Sequence, residues 1–266
     1  MMKINITKAH ATQNHFLIIE NQNPKLNQKE FIKKICSTKK HERIDGVLIL
    51  SKKDQWENYF KSIDFKMDYY NNDGSWETMC ANGARCAALY MFNKYGKKKM
   101  NFEAGDGNHT AEILNNSSVK LSMIKPKYCS DELSIEKTKG FHVDSGATHF
   151  VVEYPAIENQ KVKELGKKIR HNKEFQPRGI NVNFYEVMNK NEISVKTYEK
   201  GIENLMMSCA SGSVASVFHL AKNKIIKSPV KVNVPGGDFL VDFSNDWNVV
   251  NIIGSAEIEQ NYNISI

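Results

Sequence analysis

The chain has 266 residues, 41% hydrophobic and 25% charged, which suits one large folded domain or two small ones and excludes a disordered chain. Lys and Arg outnumber Asp and Glu by 37 to 30, but they are scattered, and no RNP, KH, helix-turn-helix or zinc-finger pattern accompanies them, so a nucleic-acid partner is not expected. No apolar run nears the roughly 20 residues of a membrane span, and the start MMKINITKAH lacks the apolar core of a signal peptide. The five cysteines (Cys36, Cys80, Cys86, Cys129, Cys209) are odd in number and include no CxxC, so neither a disulfide framework nor a zinc site is expected, and a reducing cytoplasm is the default.

In chain order the elements occur twice. The stretch ITKAHATQNHFLIIE reads as a polar loop entering a buried strand, and FHVDSGATHFVVEY has the same shape in the second half. An amphipathic helix follows in each half. The first is NQKEFIKKICSTKK, with Phe31, Ile32 and Ile35 on one face; the second is ENQKVKELGKKIRHNKEF, with Val162, Leu165 and Ile169 at helical spacing. Next come the strands GVLILSK and GINVNFYEV, then strands running into polar turns, FKMDYYNNDGS and ISVKTYEKGIE.

The halves then match most closely, as MCANGARCAALYMF and SCASGSVASVFHLA. Each is Cys-Ala-(Asn/Ser)-Gly opening a helix of small residues. Ala84, Cys86, Ala87, Ala88, Leu89 and Met91 leave the first of these helices no polar face, so it is expected to be buried. Strand, Gly/Asp turn and strand close each half, in MNFEAGDGNHTAEI and VKVNVPGGDFLVDF. The expected fold is therefore α+β. Two similar domains are expected, each a curved mixed or antiparallel sheet wrapped around a central buried helix. The boundary falls in MIKPKYCSDEL, giving residues 1–125 with about 255–266, and 126–254.

A cysteine at a helix N-terminus sits among backbone N–H groups with no intrahelical acceptor and in a partial positive charge, which lowers a thiol's pKa. The same terminus holds a carboxylate without a cationic side chain, and Gly83 and Gly212 let backbone approach a ligand. Two such sites facing one substrate could remove a proton from the carbon beside a carboxylate and return one to the opposite face, with no cofactor and no metal. Cysteine is also a common buried residue, and Cys36, Cys86 and Cys129 are read as packing. The paired context moves Cys80 and Cys209 toward function.

These segments resemble the diaminopimelate epimerase family. NNDGSWETMCANGARCAALYMF is similar to its NADGS…MCGNGARC signature, and TYEKGIENLMMSCASGS to YERGxGET…ACGTG. HATQNHF resembles HGxGNDF, VDSGATHFVV resembles VxxGNPHxVV, FQPRGINVNF resembles FPERxNVxF, and VNVPGGDFLVDF matches the family's PGG hairpin. The resemblance implies an isomerase of lysine biosynthesis that converts LL- to meso-diaminopimelate, without cofactor, as a cytoplasmic homodimer. Cys80 and Cys209 would then be the acid–base pair, and backbone at Ala81, Asn82, Ala210 and Ser211 would hold the reacting carboxylate. Asn14 would contact the substrate near the reacting centre, and Asn71 and Asn181 would bind its far end. Glu199 would accept from an ammonium with Lys200 beside it, and His149 would support the pair. Taken singly, Asn14 and Asn71 read as turn formers, His149 as a core histidine and Asn181 as a solvent-facing strand residue.

Several positions depart from the family pattern. Lys200 replaces an Arg and so loses the bidentate fork. Ala147 replaces the Asn of GNPH, and Ala81 and Ala210 replace the glycine after each cysteine. HGxGND becomes His10–His15, and the GxGxDG loop becomes His41-Glu42-Arg43-Ile44-Asp45-Gly46. One extra residue lies between Glu199 and Cys209. The departures leave open a racemase of another amino acid, or a silent amino-acid-binding homologue.

Overall fold

The computed structural model describes residues 3–20, 29–37, 44–52 and 63–265. His41, Glu42 and Arg43, and both ends of the first expected amphipathic helix, lie outside the described residues. The chain divides into two compact units, residues 1–121 with 254–266, and 122–253.

In the first unit, β1 (Lys3–Ala11) and β2 (Asn14–Glu20) are followed by α1 (Lys29–Cys36), β3 (Gly46–Lys52), β4 (Phe65–Asn71) and β5 (Trp76–Glu77). Then come α2 (Ala81–Tyr95), β6 (Lys99–Ala104), β7 (Gly107–Ile113) and β8 (Ser118–Ser122). The second unit holds β9 (Lys127–Ile135), β10 (Thr138–Asp144), β11 (Thr148–Glu153), α3 (Asn159–Arg170), β12 (Asn181–Asn189), β13 (Glu192–Glu199) and β14 (Asn204–Leu205). After α4 (Ala210–Lys222) come β15 (Val230–Val234), β16 (Gly237–Phe243) and β17 (Val250–Ser255), and the chain ends in β18 (Glu257–Ser265), which pairs antiparallel with β1.

The two sheets have one topology. In the first, β18, β1, β2, β3, β4, β6, β7 and β8 lie side by side, with β2–β3 and β4–β6 parallel and the other pairs antiparallel. In the second, β9, β10, β11, β12, β13, β15, β16 and β17 do the same, with β11–β12 and β13–β15 parallel. The last strand of the chain thus stands in the first sheet where β9 stands in the second.

Strand alternation decides what each sheet face covers. Leu17, Ile19, Val47 and Ile49 pack with Ile32 and Ile35 of α1, while Phe16 and Leu48 lie against Gly83 of α2. In the second unit Val182 and Phe184 pack with Val162 and Ile169 of α3. The alternating Asn183 turns to Gly212 of α4. Helices α2 and α4 are buried along most of their length, and α2 touches β1, β2, β3, β4, β7 and β18. Small residues on all sides allow this close enclosure; Ala84, Ala87 and Ala88 are fully buried. Of the cysteines read as packing, Cys86 is buried and Cys36 half-buried, but Cys129 is exposed, because β9 leaves most of its side chains in solvent.

Candidate active site

Each buried helix begins at a cysteine. Cys80 caps α2 with extended backbone (φ −133°, ψ 109°), and Cys209 caps α4 in nearly the same conformation (φ −131°, ψ 98°). Ala81 and Ala210 are the first helical residues, so they take an ordinary right-handed backbone that suits alanine as well as glycine. The N–H groups of Ala81, Asn82, Ala210 and Ser211 lie in first turns, where the helix supplies no acceptor.

In the first unit a directed row of hydrogen bonds passes Cys80. Burial pulls the wholly buried Arg85 guanidinium down to about 10, with Cys86 and Cys80 acting in the opposite sense. Arg85 Nη2 donates to Asn82 Oδ1 (2.8 Å), Asn82 Nδ2 to Asn14 Oδ1 (3.3 Å), and Asn14 Nδ2 to Asp45 Oδ2 (2.7 Å). Every amide dipole points from cation to carboxylate, so each bond polarises the next. The Cys80 sulfur lies 4.0 Å from Asn14 Oδ1, as its donor, and accepts from Gly83 N–H at 3.5 Å. Asn14 sits just past a turn in which Thr12 (φ 47°) and Gln13 (φ 57°) are both left-handed. Arg85 Nη2 also donates to the Thr12 hydroxyl at 3.5 Å, tying that strained turn to the helix.

Asn71 ends β4, beside Gly46 in register. Its Oδ1 accepts from Tyr69 (2.7 Å) and its Nδ2 donates to Ser75 Oγ (3.0 Å). The side chain is buried and its orientation fixed, with a second N–H remaining on the amide.

In the second unit His149, Asn181, Glu199, Lys200, Cys209, Ala210 and Ser211 come together where β11, β12 and β13 meet the start of α4. His149 is level with Asn181 across the parallel β11–β12 pair. Asn181 does not face solvent: it is 8% exposed, donates to Thr148 O (3.2 Å) and accepts from Lys200 N (2.9 Å). It thereby sets the turn leaving β13, where Glu199 and Lys200 stand half-buried. His149 is fully buried. Loss of solvation, with His142 and Lys200 adding to it, pushes its imidazole down to about 3, so it is neutral at any ordinary pH. Its Nε2 is 3.1 Å from Ser211 Oγ, which is 3.7 Å from the Cys209 sulfur. Its Nδ1 is 3.0 Å from Asn183 Nδ2, and Asn183 Oδ1 accepts from Thr197 at 2.8 Å.

Asp45, Arg85, Thr12, Tyr69, Asn183 and Thr197 were not singled out as site residues from sequence. Asn183 carries a faint signal, since N-V-N on a strand places two amides on one face. Arg85 lies inside the first cysteine motif, one turn from its start, but nothing local says that a guanidinium will be buried there.

The diaminopimelate epimerase family profile matches residues 6–129 and 141–259. The chain is 32% identical over 265 residues to the diaminopimelate epimerase of Aquifex aeolicus, covering 94% of this chain and 93% of that one. It is 34% identical over 247 residues to that of Flavobacterium psychrophilum, covering 91% of each. Among solved structures, a hydroxyproline epimerase from Agrobacterium vitis shares the fold at a TM-score of 0.73 and 13% identity, over 98% of this chain and 92% of the other. Two units of one topology, a cysteine capping the buried helix of each, and matches of this extent establish that the chain belongs to the diaminopimelate epimerase family, a family of isomerases.

Proposed function

We propose that this protein is a two-cysteine epimerase that converts LL-diaminopimelate to meso-diaminopimelate in lysine biosynthesis. The observation that carries the reading is the cysteine at the N-cap of a buried helix in each unit. In the proposed reaction one sulfur, as thiolate, takes the α-proton, and the other, as thiol, delivers its proton to the opposite face. The two sulfurs exchange protonation states, no electron pair leaves the substrate, and no cofactor is needed. The difficulty is to gather charge beside a carboxylate that is already negative. First-turn N–H groups directed at that carboxylate stabilise the growing charge. Asn14, Asn71, Asn181, Glu199 and Lys200 are proposed to bind the rest of the substrate, and His149 to support the Cys209 side.

Proton NMR in deuterated water tests this directly. Loss of the α-proton signal from LL-diaminopimelate, but not from single L-amino acids, is expected. In Cys80→Ala and Cys209→Ala, interconversion of the two stereoisomers should fall by at least about 10³-fold, in line with general acid–base catalysis. Wild-type interconversion in either variant would refute the assignment.

A second reading is favoured by Lys200 and Ala147, which stand where the family motif has Arg and Asn: the protein inverts a different amino acid. Exchange confined to another amino acid would identify that racemase, and ligand-dependent stabilisation without exchange would identify a silent binding protein. We take the protein to act as a homodimer in the cytoplasm, as the family resemblance implies; light scattering of the purified chain tests the dimer.

A further inference from the structure

The second unit holds a row of polar side chains that ends on a sulfur. Thr197 on β13, Asn183 on β12, His149 on β11, and Ser211 and Cys209 at the start of α4 stand in sequence, at 2.8, 3.0, 3.1 and 3.7 Å. Three features give the row a direction. Asn183 Oδ1 accepts from the Thr197 hydroxyl, which turns the amide nitrogen to His149. The same oxygen lies against Gly212, so close that a Cβ there would stand 1.9 Å from it; a carbonyl oxygen fits against a Cα–H, where an amide hydrogen would collide. His149 Nδ1 must therefore accept, and a neutral imidazole that accepts at Nδ1 carries its proton on Nε2. Ser211 Oγ receives that proton as an acceptor. The polar partners of Ser211 Oγ among the described residues are the imidazole and the Cys209 sulfur, so its own hydrogen points to sulfur.

We propose that Thr197 and Asn183 are positioning residues that hold His149 in its Nε2–H form, so that Ser211 directs its hydroxyl hydrogen to Cys209 and stabilises that sulfur as thiolate. The inference rests on the reading of Cys209 as an acid–base group, but it is tested without turnover. It adds to the support assigned to His149 a definite chain of donors, and to Ser211 a role for its hydroxyl beside that of its backbone. Cys80 provides a contrast: beside the Gly83 N–H that donates to its sulfur, one side-chain neighbour is Asn14 Oδ1, an acceptor that suits a thiol S–H rather than a thiolate. The titratable groups acting on His149 are His142 on β10 and Lys200 after β13, and both disfavour an imidazolium that would scramble the row.

The test follows alkylation of each cysteine by iodoacetamide against pH, resolved by peptide mass spectrometry on the full chain. Ser211→Ala removes one hydrogen bond to an anion, so alkylation of Cys209 at neutral pH should slow about tenfold, with its pH midpoint moving up by about one unit. Cys80 should keep the wild-type rate, and Ser211→Thr should restore Cys209. Asn183→Asp should act like Ser211→Ala, because a carboxylate draws the imidazole proton to Nδ1 and leaves Nε2 to capture the Ser211 hydrogen. Long-range ¹⁵N NMR of wild-type protein should show His149 protonated at Nε2. An unchanged Cys209 profile in Ser211→Ala, or a wild-type His149 protonated at Nδ1, overturns the proposal, and the NMR result stands even where the Asn183 variant fails to fold.

Discussion

Arg85 shows how far one side chain can organise a helix start. Its guanidinium is wholly buried and donates to Asn82 Oδ1, to the Ala81 carbonyl (3.4 Å), to Thr12 and to the Ser255 carbonyl (3.4 Å). Methionine fills much of the same space but leaves those acceptors buried and unanswered. Arg85→Met should lower unfolding free energy by about 2 kcal/mol in urea titration, after offsetting the desolvation cost that the charge no longer carries. The opposite sign is expected two residues past Ala11. Gln13 holds a left-handed φ of 57° where the matching family motif has glycine. That conformation costs an L-residue about 1–2 kcal/mol, while glycine adds about 0.4–1 kcal/mol of entropy to the unfolded chain. Gln13→Gly should therefore stabilise by about 0.5 kcal/mol, measured the same way.

Helices α2 and α4 share an origin in sequence but not the same surroundings, and their first-turn glycines report the difference. A Cβ on Gly83 would meet Leu48 Cδ2 at 2.7 Å, a methyl that can swing aside. A Cβ on Gly212 would meet Asn183 Oδ1 at 1.9 Å and His149 Nδ1 at 3.1 Å, atoms committed to the row that ends at Cys209. Gly83→Ala should cost about 1 kcal/mol and Gly212→Ala about 3 kcal/mol, read as a larger fall in thermal midpoint for the second. Both helices were legible in sequence because a run of small and apolar residues on every side, with Cys at its start, has one physical use of space: enclosure. Strand β3, GVLILSK, was legible for the same reason. The partners of those helices were not. Asn183 and Arg85 gain meaning only when β12 is laid beside β11 and when α2 is wrapped, and those are contacts between elements remote in the chain. Alternation alone made Asn181, taken singly, a solvent-facing strand residue, and nothing in the pattern said what the face it shares with Asn183 would meet.

At the scale of the molecule, one strand order is used twice and places a cysteine at the same point of each unit, the N-cap of its buried helix. It does not make the units alike in titration. The imidazoles of His142, His149 and His219 in the second unit are all lowered by burial, His149 to about 3, and His15 in the first is lowered as well. Below about pH 6.5 the unfolded chain takes up protons at these positions while the folded chain does not, so it binds more protons and stability falls with falling pH. The loss starts at the ordinary histidine pKa and continues toward about 3, where the folded protein at last protonates His149. The carboxylates of Glu20, Asp73, Glu203 and Glu259, all lowered in the folded state, add a further loss below the ordinary carboxylate range. Urea midpoints measured from pH 8 to pH 4 should therefore fall steadily from near pH 6.5 downward. His149→Gln, whose amide can accept from Asn183 and donate to Ser211 without titrating, should flatten that fall between pH 6.5 and 4 while lowering stability at pH 8 only modestly. A slope identical to wild type would place the acid sensitivity elsewhere than in the buried imidazole beside Cys209.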